Sequence, residues 1–227
     1  MNRLLSVTRV TFHELDSEGS TRRHWFATEL NMKPKVVCTK CNNEWMSDIE
    51  NNYAKPAMVD LILGNRIGSI SKKRAYGLSL FAFKTAVITN RSLPDSEHFF
   101  EVSDRYAFHQ SLTIPRDVGM WLVCMEPDAI LGKTGGGIMS VNVKFPDKGN
   151  ADLTLNVCSF WVGRLGFQVV SAKSKRPGKL ESLPFFSDLT LPFYPMLEPN
   201  VRWPRDKCLL VQDFTRFWNR WNMIKMH

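Results

Sequence analysis

Four successive runs rich in β-branched and aromatic residues, Val118 to Met125, Ile138 to Phe145, Leu153 to Val162 and Leu165 to Ala172, limit what this chain can fold into. Each has the length and composition of a strand. Turn-forming clusters separate them: Gly135-Gly136-Gly137, Asp147-Lys148-Gly149-Asn150 and Gly163-Arg164. Consecutive strands joined by turns pair most economically as an antiparallel meander, which predicts a four-stranded sheet.

The residues before this block carry a helical pattern. Trp45 and Ile49 stand four apart and Met46 and Tyr53 seven apart, which predicts a helix after Cys41. Pro56 is expected to restart the chain, with a second short helix from Ala57 to Leu63 closed by Gly64. Ser71 is a natural N-cap for a longer helix from Lys72 to about Ile88, with a core face of Leu78, Phe81, Ala82, Thr85 and Ile88. Ser103-Asp104 opens a further short helix reaching about His109. Nearer the N-terminus, Val7, Val10 and Phe12 lead to a turn at Asp16-Ser17-Glu18-Gly19, and His24, Trp25 and Phe26 resume the apolar run. That order predicts a β-hairpin, followed by a short strand at Val36-Val37. Downstream of the sheet, the proline-punctuated stretch from Pro184 to Pro204 is expected on the surface. Leu209 to Ile224 reads as a last amphipathic helix. The fold class is therefore α+β, with residues 1–64 as an N-terminal unit and 65–227 as a scaffold.

At 227 residues, 44% of them hydrophobic and 23% charged, the chain can bury a core, which excludes disorder as its default state. It has no run of about 18 apolar residues and no signal-peptide pattern at its start. Cytoplasm is the expected compartment and no membrane partner is implied. The odd number of cysteines, 5, and the scatter of Cys124, Cys158 and Cys208 predict buried free thiols at those three positions. A net charge of +8 favours polyanionic partners, since clustered Lys and Arg release counterions from a phosphate backbone.

Chemistry is suggested in one stretch, Cys38-Thr39-Lys40-Cys41-Asn42-Asn43-Glu44-Trp45-Met46. Two cysteines separated by two residues have the spacing of half a zinc knuckle, and a tetrahedral zinc requires two ligands more. His13 or His24 on the hairpin are the candidates within reach of sequence reasoning. A thiol redox pair is the alternative, though no βαβ pattern surrounds it. Asn42 reads either as an ion contact or as a helix cap, and Trp45 and Met46 as core residues.

The pattern Val37-Cys38-x-x-Cys41-Asn42-Asn43-x-Trp45-Met46-Ser47-x-x-Glu50, continued by Ala54-Lys55-Pro56 and Leu61-Ile62, resembles a bacterial family of HNH-endonuclease-like proteins with a ββα-metal finger. Weaker likenesses follow at Phe83-Lys84-Thr85-Ala86, Trp121, Gly163-Arg164-Leu165 and Val201-x-Trp203-Pro204. The resemblance implies a structural zinc with Cys38 and Cys41 as two of its ligands. It also implies a second divalent ion, magnesium or another, contacted by Asn42 with Asn43 as the fallback. In the family an earlier CxxC completes the zinc site, and an acid-His pair following it supplies the base for phosphodiester hydrolysis. Neither precedes Cys38 here, and His13-Glu14 has the acid on the wrong side. By analogy with the usual finger, about the first fifty residues are expected to be missing.

Basic residues concentrate outside the cysteine stretch. Gly64 to Arg91 holds 6 and no acidic residue, including Lys72, Lys73 and Arg74. Gly163 to Leu180 holds 5 and no acidic residue, including Lys173, Lys175 and Arg176. If these flank the finger they can hold double-stranded DNA. The expectation is an HNH-like, nucleic-acid-associated protein with absent or very weak cleavage as the chain stands. The alternative is a non-enzymatic DNA-binding or protein-interaction module whose CxxC is structural or vacant.

Overall fold

The computed structural model describes residues 10–15, 21–27, 36–65, 67–126, 134–144, 152–174, 189–195, 201–204, 207–210 and 213. Strands β1 (Val10–Leu15) and β2 (Thr21–Ala27) pair antiparallel as the expected hairpin, whose turn falls outside the described residues. Val36 and Val37 form a turn and a bend, not a strand. Helix α1 (Thr39–Asn43) therefore begins before Cys41 and contains it. Helix α2 (Trp45–Asp48), a π-helical turn (Ile49–Ala54) and helix α3 (Lys55–Leu63) follow without a break at Pro56. The wide turn explains this. Proline lacks an N–H and collides with the carbonyl four residues back in a regular helix. Here it sits in the first turn of α3, directly after a π-turn in which Lys55 N–H already reaches back to Glu50 O. Gly64 ends α3 as expected, with φ +75°.

Strand β3 (Ile67–Ile70) leads to α4 (Lys72–Arg91), where Ser71 Oγ accepts from Arg74 N–H at 3.2 Å. The cap is as predicted and the helix runs three residues further. Leu78, Phe81 and Ala82 are buried, and so are Ser79, Leu80, Phe83 and Lys84, so the middle of α4 is enclosed on every side. Thr85 and Ile88 are only half-buried. Helix α5 (Val102–Ser111) starts one residue earlier than expected, because Glu101 and Asp104 form a reciprocal capping box.

The four predicted strands are present as β4 (Val118–Cys124), β5 (Thr134–Lys144), β6 (Asp152–Val162) and β7 (Leu165–Ser174), but Gly135-Gly136-Gly137, expected as a turn, lie within β5 and pair with β6. All their pairings are antiparallel, but the order is not a simple meander. β5, β6 and β7 are sequential neighbours, whereas β4 pairs with β7 and with a fifth strand, β8 (Thr190–Tyr194). Strand β9 (Val201–Trp203) pairs with β3. The stretch expected on the surface thus supplies core residues, among them Leu191, Phe193 and Trp203. Pro192 is tolerated because β8 forms the edge of the sheet.

One face of the sheet packs on α4, with Phe81 against Phe160 and Phe167, and Phe167 against Phe193. The same core takes in Met58, Leu61 and Ile62 from α3. Emptying a site of this kind typically costs about 3–5 kcal/mol for a phenylalanine. Of the three cysteines expected as free thiols, Cys158 is buried and free, but Cys124 and Cys208 are joined in a disulfide. The backbone explains the pairing: Leu209 N–H donates to Cys124 O at 2.7 Å and Glu126 N–H to Leu209 O at 3.0 Å, which lays the two cysteines side by side. Leu209 accordingly bridges to Met125, neither it nor the exposed Leu210 is helical, and the rest of the predicted C-terminal helix falls outside the described residues except Asp213. No described helix is long and apolar enough to cross a membrane.

Candidate functional site

Cys38 precedes α1 in an extended conformation and caps it with its own sulfur, which accepts Cys41 N–H at 3.2 Å. Asn42 is therefore not the cap; it lies inside the helix, with its N–H on Cys38 O at 3.0 Å. Its side-chain amide is exposed and donates to Asn43 Oδ1 at 3.3 Å. The Cys38 thiol is exposed and the Cys41 thiol half-buried. Their acidities diverge. The Cys41 side chain, followed by its backbone N–H, lowers Cys38 from the ordinary thiol value, because both donate to the charged form of its sulfur. Cys41 is raised, chiefly because its own S–H is held by Cys38, with the Trp45 indole pulling the other way.

Trp45 fixes this corner to the scaffold. Its ring meets Phe108 edge-on at 5.8 Å and lies tilted against His109 at 5.1 Å. Phe108 in turn meets Phe83 of α4 at 4.8 Å. Met46 is buried, so both residues join the core as their type suggests. One turn further on, Glu50 reaches Lys84, which is only 5% exposed and sits over the Phe81 ring at 5.2 Å. Burial lowers Lys84 from the ordinary lysine value, and the Glu50 charge partly restores it.

No family model, curated protein or solved structure matches the chain. The site's chemistry therefore stands on its own geometry. Two adjacent thiols are the soft donors that zinc takes, and they fit half of a tetrahedral set. The described residues contain no group of three or more His, Cys, Asp or Glu able to hold a metal ion. His13 and His24 are register partners across the hairpin, which brings their backbones together. A lowered thiol beside a second thiol is equally the arrangement that exchanges disulfides.

Among the described residues, the basic groups singled out above do not gather into one patch. Lys72 and Lys73 are exposed at the start of α4, and Arg74 is held by Asp60 at 3.0 Å. Lys173 pairs with Glu101 at 3.1 Å and lies over Phe99 at 4.9 Å. Phe99 is tied by its N–H to Asn90, near the far end of α4. A helix of 20 residues spans about 30 Å, so the two groups lie toward its opposite ends. Lys175 and Arg176 fall outside the described residues. The Glu50–Lys84 pair escapes sequence reasoning because 34 residues separate its members. Tyr76 could have been noticed, since it follows Lys72 by four and Lys73 by three on a predicted helix.

Proposed function

We propose that the protein is nucleic-acid-associated and HNH-like, with Cys38 and Cys41 as half of a structural zinc site and Asn42 as the contact to a second divalent ion. The observation that carries this reading is the order of parts: a paired β1–β2 hairpin, then two accessible thiols at the head of a helix anchored to the core through Trp45. Cys38 and Cys41 would supply two thiolate ligands to a zinc, which would be structural, and Asn42 would contact a divalent ion able to offset charge developing on a phosphate. The chain's own part is to hold the thiols together, to present the exposed Asn42 amide, and to meet the polyanion with the Lys72 and Lys73 end of α4. His13-Glu14 has the acid on the wrong side for the acid-His pair of such families, and cleavage by this chain is expected to be absent or very weak.

A gel shift with duplex DNA tests the association. Binding should be seen at low salt and weaken with a log-log slope of about −0.9 per phosphate neutralised. A gel that stays blank at low salt with duplex and single-stranded DNA alike removes the nucleic-acid reading. Competition against a chromogenic chelator should show zinc uptake that Cys38→Ser abolishes. Plasmid should stay intact with magnesium or manganese present. Metal-dependent cleavage abolished by Asn42→Ala would overturn the expectation of an inactive chain and keep the ion assignment.

A further inference from the structure

The α4 end that carries Lys72 and Lys73 also carries an aromatic pair that the thiol site does not use. Tyr53, in the π-turn, and Tyr76, in α4, are 39% and 45% exposed, and their rings meet edge to face with centroids 6.0 Å apart and planes at 82°. Gly77 brings them together. A Cβ at Gly77 would lie 2.5 Å from the Tyr53 carbonyl oxygen, so the two helical segments cross at backbone contact and present both rings at one place. Each ring stands on a segment packed into the core through Ile49, Ala54, Ala75 and Leu78. Partial burial and the neighbouring Tyr53 hold the Tyr76 phenol above its ordinary value, so this ring is neutral at physiological pH.

Among the described residues, two lysines stand beside the rings. Lys72 and Lys73, four and three residues before Tyr76, share its face of the helix and are exposed. Two acidic groups on these segments are engaged: Asp60 with Arg74, and Glu50 with Lys84. Lys55 is bonded to Asn51. An exposed ring pair flanked by unneutralised lysines suits a ligand that has flat apolar faces strung on a polyanion. An acidic peptide would answer the lysines and leave the rings idle. A duplex keeps its base faces stacked inside and shows only their edges.

We propose that Tyr53, Tyr76, Lys72 and Lys73 form a stacking platform for single-stranded nucleic acid, the rings taking an unpaired base and the lysines the phosphates beside it. The proposal rests on the nucleic-acid reading above and narrows it to an unpaired strand.

Fluorescence anisotropy with a labelled oligothymidylate of about 12 nucleotides, compared with a labelled duplex, tests it. The single strand should bind more tightly. Tyr76→Ala should weaken single-strand binding about tenfold and leave duplex binding unchanged, whereas Tyr76→Phe, which keeps the ring, binds as the wild type does. Tyr53→Ala should act in the same direction, which guards against a local effect of one variant. Replacing Lys72 and Lys73 together by Ala should reduce the salt slope by about 0.7 for each phosphate that is no longer neutralised. Equal binding of both forms, indifferent to Tyr76→Ala, overturns the platform and leaves the nucleic-acid reading standing. Failure of both forms to bind at low salt overturns both readings.

Discussion

Lys84 is a cation placed where a hydrophobic side chain would ordinarily go. It projects from the enclosed middle of α4, and what makes its charge tolerable is Glu50, whose carboxylate remains about half exposed. Burial lowers its proton affinity below the ordinary 10.5 and Glu50 opposes that shift. Below the lowered value the folded and unfolded chains both hold the proton. Between it and 10.5 the unfolded chain binds more protons, so stability rises with pH across that window. Glu50→Gln removes the opposing charge and extends the window to lower pH. The variant should be less stable than the wild type at neutral pH by about 1–2 kcal/mol, less than a fully buried pair would lose because Glu50 is in contact with water. The deficit should shrink as pH rises. Denaturant midpoints measured from about pH 7 to about pH 10 check this, since a deficit constant across that range would mean Lys84 does not titrate there.

At the level of elements, what could be read from sequence was whatever a local pattern determines. Ser71 and the apolar residues after it define α4, Gly64 ends α3, and the four β-branched runs become four strands. Alternation says that a segment is a strand but not which strand lies beside it, so the pairing of β4 with β7 and β8 could not be read. Pro192 and Pro204 suggested surface, and edge position and the short β3–β9 ladder instead let those segments into the core. At the thiol site, the spacing of Cys38 and Cys41 was legible. The capping sulfur and the Trp45 anchor were not, because both depend on where the helix begins and on Phe108, far along the chain. Gly77 belongs to the same class: as a glycine inside a helix it looks like a defect, and only the crossing with the π-turn explains it. Gly77→Ala gains about 1 kcal/mol of helix propensity. It also places a carbon against the rigid Tyr53 carbonyl, an overpacking that costs about 1–3 kcal/mol. The melting temperature should therefore fall. A rise would show that the segments can part without penalty, and the fixed tyrosine pair would go with them.

Across the whole molecule, the turn between β6 and β7 joins parts that are distant in sequence. Arg164 N–H donates to Ile62 O at 3.1 Å at the end of α3, its carbonyl accepts Met125 N–H at 2.9 Å beyond β4, and its side chain donates to Met125 O at 3.3 Å. The Cys124–Cys208 disulfide closes the same region, linking residues 84 apart. Closing a loop of that length should contribute up to about 4.5 kcal/mol by restricting the unfolded chain. The five cysteines thus occupy three environments, and a thiol titration should resolve them. Cys38 and Cys41 are accessible and should react in the native protein. Cys158, whose thiol burial pushes up to about 12 against a hydrogen bond from Thr89, should react only after denaturation. The remaining pair should need a reductant as well. The expected counts with an aromatic disulfide reagent are 2, then 3, then 5. Reduction before denaturation should lower the unfolding midpoint, which separates a stabilising link from an incidental one. Five reactive thiols in denaturant alone would mean that Cys124 and Cys208 are unjoined, and the contact between the end of β4 and Leu209 would then rest on its hydrogen bonds.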